Sequence, residues 1–127
     1  MKTREDIDSY LLKMGVAHEE LQDDVWRIHL DGIENLMVSL AGPIVVFRLK
    51  IMDVPKAQRE ALFETLLRLN TTELVHCAFG MEGNAIVLAG ALEAENMDFN
   101  EFRAVIDDIE LAATKYYEAL SKFRTVA

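Results

Sequence analysis

Three histidines, His18, His29 and His76, and one cysteine, Cys77, are where acid–base, nucleophilic or metal chemistry would begin in this sequence. Two histidines that share a metal on a helix stand four residues apart on one face, and no pair here has that spacing. His76 and Cys77 are adjacent, and neighbours in a strand point to opposite faces, so they make neither a metal pair nor a nucleophile–base pair. Cys77 falls on the apolar side of the alternation Val75, Cys77, Phe79, with no cation nearby to activate it. It is expected as a small core residue. Glu93, Glu95 and Asp98 lack the ligand spacing and central glycine of a calcium loop, and read as a solvated loop before a helix cap. Asp107 and Asp108 diverge by about 100° on a helix and are expected to face solvent. Gly80-Met81-Glu82-Gly83 lacks the lysine and hydroxyl of a phosphate loop, and Ser9, Ser39 and Ser121 sit in no nucleophile elbow. The expectation is no catalytic residue, no metal, no cofactor and no enzyme.

The chain that must position these residues has 127 of them, enough for one domain, expected over residues 1–127. With 51% hydrophobic and 28% charged residues it has a globular composition. The 22 acidic against 13 basic residues give a formal charge of −9, which argues against nucleic acid or an anionic membrane as partner. One cysteine allows no internal disulfide. The start, Met1-Lys2-Thr3-Arg4-Glu5-Asp6, is too charged for a signal peptide, and the longest small-and-apolar run, Ala85 to Leu92, is far short of the roughly 20 residues of a membrane span. A cytoplasmic protein is expected.

Thr3 with Asp6 resembles a capping box, Ile7, Leu11 and Met14 follow helical spacing, and Gly15 is a natural stop. The period then becomes two. Trp26, Ile28 and Leu30 alternate up to the turn at Asp31-Gly32; Leu36, Val38 and Leu40 follow up to Gly42-Pro43; and Val45, Phe47, Leu49 and Ile51 share a face. Three such strands imply an antiparallel meander with one wet face. Pro55 suits the first turn of a second helix with Asp53 as its cap, and Asn70-Thr71-Thr72 ends it. On this helix Leu62, Phe63, Leu66, Leu67 and Leu69 span roughly 160°, wider than a helix lying on a sheet requires. Val75 to Phe79 and Ala85 to Leu92 form a hairpin, the latter central, with Gly90 marking a bulge or a close approach. Asp98 with Glu101 caps a last helix that runs nearly to the end, about 37 Å long, so that Tyr116, Tyr117, Leu120 and Phe123 overhang the sheet. The expected class is α+β: helix, three strands, helix, two strands, helix, with an antiparallel sheet packed by helices.

This order, size and acidic charge resemble the YbjN family and the bacterial class I type III secretion chaperones of the CesT/Tir type. The stretches that carry the likeness are Trp26, Val54-Pro55, Leu66-Leu67-Arg68-Leu69-Asn70, Gly83-Asn84-Ala85-Ile86-Val87-Leu88 and Met97-Asp98-Phe99-Asn100-Glu101-Phe102. The resemblance implies a secretion-chaperone-like fold, a homodimer without catalytic residues, and a protein or peptide client held along apolar grooves and a sheet edge. A chaperone-like or adaptor protein is thus expected. The wide arc of the middle helix and the overhang of the last nominate Phe63, Leu66, Leu67, Tyr117 and Leu120 for the dimer interface. Met37 and Val46, apolar positions on the wet face, and Tyr10 on the first helix are nominated for the client. The alternative is a small-molecule-binding regulatory domain with a pocket between the sheet and the last helix, for which the sequence offers no convergent polar cluster.

Overall fold

In a computed structural model of the chain, which describes residues 3–124, helix α1 (Arg4–Met14) starts and stops where its caps stand. The Thr3 N–H donates to the Asp6 carboxylate at 2.8 Å, and Gly15 takes a left-handed φ of 72° that closes the last turn. Six antiparallel strands follow in the spatial order β1-β2-β3-β4-β6-β5. They are β1 (Ala17–Gln22), β2 (Val25–Leu30), β3 (Ile33–Ala41), β4 (Ile44–Asp53), β5 (Ala78–Glu82) and β6 (Ala85–Glu93). Helix α2 (Arg59–Thr72) separates β4 from β5, and α3 (Phe99–Lys115) and α4 (Tyr117–Arg124) close the chain. One sheet face carries Trp26, Ile28, Leu36, Val38, Val45, Phe47, Leu49 and Leu88, all buried. Against it lie Ile7 and Leu11 of α1 and Phe102, Val105, Ile106 and Ile109 of α3, in one hydrophobic cluster. Burying that face is the main driving force for this arrangement.

The α+β class and the antiparallel sheet packed by helices hold, with two elements more than the expected order. The first is β1. Its sequence, Ala-His-Glu-Glu-Leu-Gln, has no apolar alternation because it is an edge strand with most side chains exposed, and pairing with β2 makes it a strand. The second comes from a break in the last helix. The Tyr116 backbone leaves helical geometry at φ −100°, ψ 7°, so the chain does not overhang. α4 turns back instead and buries Leu120 and Phe123, and the Arg124 guanidinium donates to the Ile51 carbonyl at 2.6 Å. Of the four residues expected to overhang, Tyr117 is the exposed one.

Two boundaries also move. α2 begins at Arg59 and not at Pro55: Asp53 ends β4, Val54 and Pro55 are buried in the connection, and Gln58, at φ 59°, is the residue before the helix. β5 begins at Ala78, because Leu74 to Cys77 cross over β6 instead of pairing with it. Gly90 permits that crossing. A Cβ there would stand 2.9 Å from the His76 carbonyl oxygen and 2.9 Å from Val105 Cγ1. The glycine marks a close approach.

Candidate functional site

The groups nominated for chemistry are held in structural roles. The Asp108 carboxylate accepts from the His76 backbone N–H and pairs with the ring Nδ1, fastening the crossing segment to α3. Asp108 is therefore not the solvent-facing side chain expected of it, whereas Asp107 is exposed and paired with Arg103. Cys77 is buried, and burial, with the Asp108 charge adding to it, pushes its thiol up to about 11, the reverse of an activated nucleophile. His18 bonds the Val16 carbonyl, and His29 lies near Glu19. Among the described residues no three His, Cys, Asp or Glu side chains converge to hold a metal ion, and no helix is long and apolar enough to cross a membrane.

Three surfaces remain. The sheet face opposite the helices presents Met37 and Val46, both partly buried, among Arg27, Arg48 and Ala89. Arg48 reaches across the small residues of β6 to pair with Glu82 on β5. Tyr10 lies on the other side of the sheet, half-buried, with its ring centroid 5.6 Å from Phe99 and 5.5 Å from Phe102. The nominated client residues thus fall on two opposite faces, with Met37 and Val46 on the two middle strands of the sheet.

The β1 end of the sheet forms the second surface. α1 is tied to it by Arg4, which donates to Glu20 at 2.5 Å, and by Asp8, which accepts from Trp26 Nε1 at 2.7 Å. The guanidinium of Arg4 holds the Glu20 carboxyl below the usual range, and Arg27 with His29 does the same for Glu19. Leu12 and Leu21 are exposed here, 72% and 45% respectively. Residues 3–34 carry nine carboxylates against three lysines and arginines, so most of the net charge collects at this end.

The third surface is the outside of α2. Leu66, 5% exposed, and Leu120, 2% exposed, are buried in the core, so these two nominated interface residues face inward. Leu67, 66% exposed, and Tyr117 point out, with Phe63 half-buried beside Leu67. Phe63, Leu66 and Leu67 line one cavity, of about 260 Å³, with Phe79, Met81 and Ile86; Tyr117 and Leu120 line a different one. The structure therefore brings together three of the five and leaves Tyr117 and Leu120 apart from them. Arg59, Glu60, Glu64 and Arg68 surround the apolar stripe with charges that balance.

This architecture is matched by a known family over nearly its full length: the CesT_Tir_1 family model covers residues 1–125. The chain belongs to the CesT_Tir_1 family. No curated protein matches the sequence. Among solved structures, a chain of the heterodimeric ExoU–SpcU complex of the Pseudomonas aeruginosa type III secretion system superposes with a TM-score of 0.73 at 16% identity, covering 88% of this chain and 95% of that one. YbjN from E. coli gives 0.66 at 16% identity, covering 93% and 91%. The Yersinia pestis secretion chaperone SycH, solved with a fragment of YscM2, gives 0.65 at 10% identity, covering 87% and 96%. At these identities the structures speak for the fold of this family member.

Proposed function

We propose that this chain is a non-enzymatic, chaperone-like cytoplasmic protein that acts as a homodimer and holds an extended segment of another polypeptide. The observation that carries the reading is the separation of the two surfaces by charge and shape. A molecule of net charge −9 repels its own copy, so self-association belongs where charges balance. The α2 surface, with Leu67 and Phe63 framed by Arg59, Glu60, Glu64 and Arg68, meets that condition. Tyr117 contributes if the interface extends to α4. The client belongs at β1, an edge strand whose backbone can pair with an extended segment. Side chains of an added strand would alternate between the side of α1 and the face that carries Glu19 and Arg27, while Met37 and Val46, two and three strands in from β1, lie beyond their reach.

Light scattering tests the dimer. The wild type is expected near twice 14.4 kDa. Leu67→Asp, a change at an exposed position, should stay folded and fall to the monomer mass, whereas Leu66→Asp should unfold because it puts a charge in the core. A folded Leu67→Asp protein that remains a dimer would remove α2 from the interface. Pull-down from native lysate tests the client: wild type should enrich a partner that Leu21→Asp loses, and equal capture by both would count against the β1 edge.

A further inference from the structure

The sheet has a second edge, and it is occupied by a side chain. Asn70, in the last turn of α2, donates from Nδ2 to the Phe79 carbonyl at 3.0 Å and accepts the Phe79 N–H on Oδ1 at 2.7 Å. A residue of an antiparallel strand points its N–H and C=O to the same side. Both groups of Phe79 therefore point away from β6, and the amide of Asn70 meets them as the peptide group of a further strand would. Met81, two residues on, points its backbone the same way and its side chain, 55% exposed, toward the cavity lined by Phe63, Leu67 and Ile86. β5 bears a single charge, Glu82, which Arg48 pairs. The opposite edge, β1, carries Glu19 and Glu20. An apolar edge whose one charge is paired is a template for pairing with another chain, and proteins block such edges with charge, proline or a covering element. At β5 the blocking group is Asn70.

We propose that Asn70 is an edge guard, a surrogate strand residue that closes β5 against a second copy of this chain. The excluded occupant is the β5 strand of another copy. Antiparallel pairing centred on Gly80 sets Phe79 opposite Met81 and Ala78 opposite Glu82, so no like charges meet, and it places Met81 at the mouth of the apolar cavity. The inference is separate from the reading of β1 as the client edge. Client capture decides that reading and mass decides this one, so either can fail alone.

The test is Asn70→Leu, which keeps the approximate shape and removes both hydrogen bonds. Its weight-average mass by light scattering should rise with concentration to at least twice the wild-type value over a range where the wild type is constant. Adding Ala78→Glu, which sets a second carboxylate opposite the Glu82 of the other copy on the β5 face away from the α2 cavity, should return the mass to that of wild type. A folded Asn70→Leu protein with unchanged mass overturns the proposal, as does a double variant that still associates. Should Asn70→Leu fail to fold, amide exchange in the wild type decides: the Phe79 N–H should exchange at least tenfold more slowly than that of Met81, and equal rates would sink the guard.

Discussion

At the scale of single residues, the positions that matter most here are those where a side chain, or the lack of one, settles a close approach. Gly90 has no Cβ because the His76 carbonyl and Val105 occupy its place. Gly90→Val should overpack this crossing and lower stability by roughly 1–3 kcal/mol, measured by urea unfolding, while leaving the exposed stripe of α2 intact. The glycine's role was half legible: its presence in a strand signalled a bulge or a contact, but the partner, a loop from earlier in the chain, was not. Asn70 was read as part of a helix end, and nothing local marks it as a guard, since its partner Phe79 is nine residues away on another element. Leu66 and Leu67 show the same limit. Both belong to the apolar arc, and which of them faces out depends on where β5 lies. Cys77 needed less. Its place among apolar neighbours sufficed to foresee a buried, inert thiol, though it precedes the strand instead of lying within it.

Among elements, those with strong periodicity or complete caps stood where expected: α1 with Thr3 and Asp6, α3 with the reciprocal bonds of Asp98 and Glu101 at 2.7 and 3.2 Å, and β2 to β4 with their alternating faces. β1 was missed because an exposed edge strand buries too little to leave a pattern. The join of α1 to β1 makes a pH prediction. Glu20 in the folded chain is depressed below its ordinary value by Arg4, and Glu19 by Arg27 and His29. A carboxylate with a depressed folded pKa adds stability above its unfolded pKa, about 4.3, and loses it as pH falls through the folded value. Glu20→Gln should therefore melt lower than wild type at pH 7, and the gap should close as pH falls through the folded value. The pair is exposed, so the gap will be small. A gap that persists or widens in acid would show that Arg4 and Glu20 do not tie α1 to the edge strand.

For the molecule as a whole, the arrangement of charge is what separates its surfaces. The excess of carboxylates lies at the α1–β1 end, while Arg59, Glu60, Glu64 and Arg68 balance around Leu67. The proposed self-association through α2 would work against the repulsion of two acidic bodies. Raising salt from about 0.1 M to about 1 M shortens the screening length from about 10 to about 3 Å and should tighten the homodimer, read as a lower dissociation constant in sedimentation. A dimer that loosens with salt would be held by ion pairs and not by the Leu67 stripe. The sequence by itself determined the α+β class, the alternating strands, the capped helices, the acidic charge and the lack of a local catalytic motif, because each is written in residues within a few positions of one another. Only the tertiary structure decided that a polar segment pairs as β1, that the last helix breaks at Tyr116 to bury Leu120 and Phe123, that Leu67 faces out while Leu66 faces in, and that Asn70 caps the β5 edge. Each of these depends on a partner distant in sequence, and the free energy that selects it, burial of apolar surface and satisfaction of backbone groups, exists only once those partners meet.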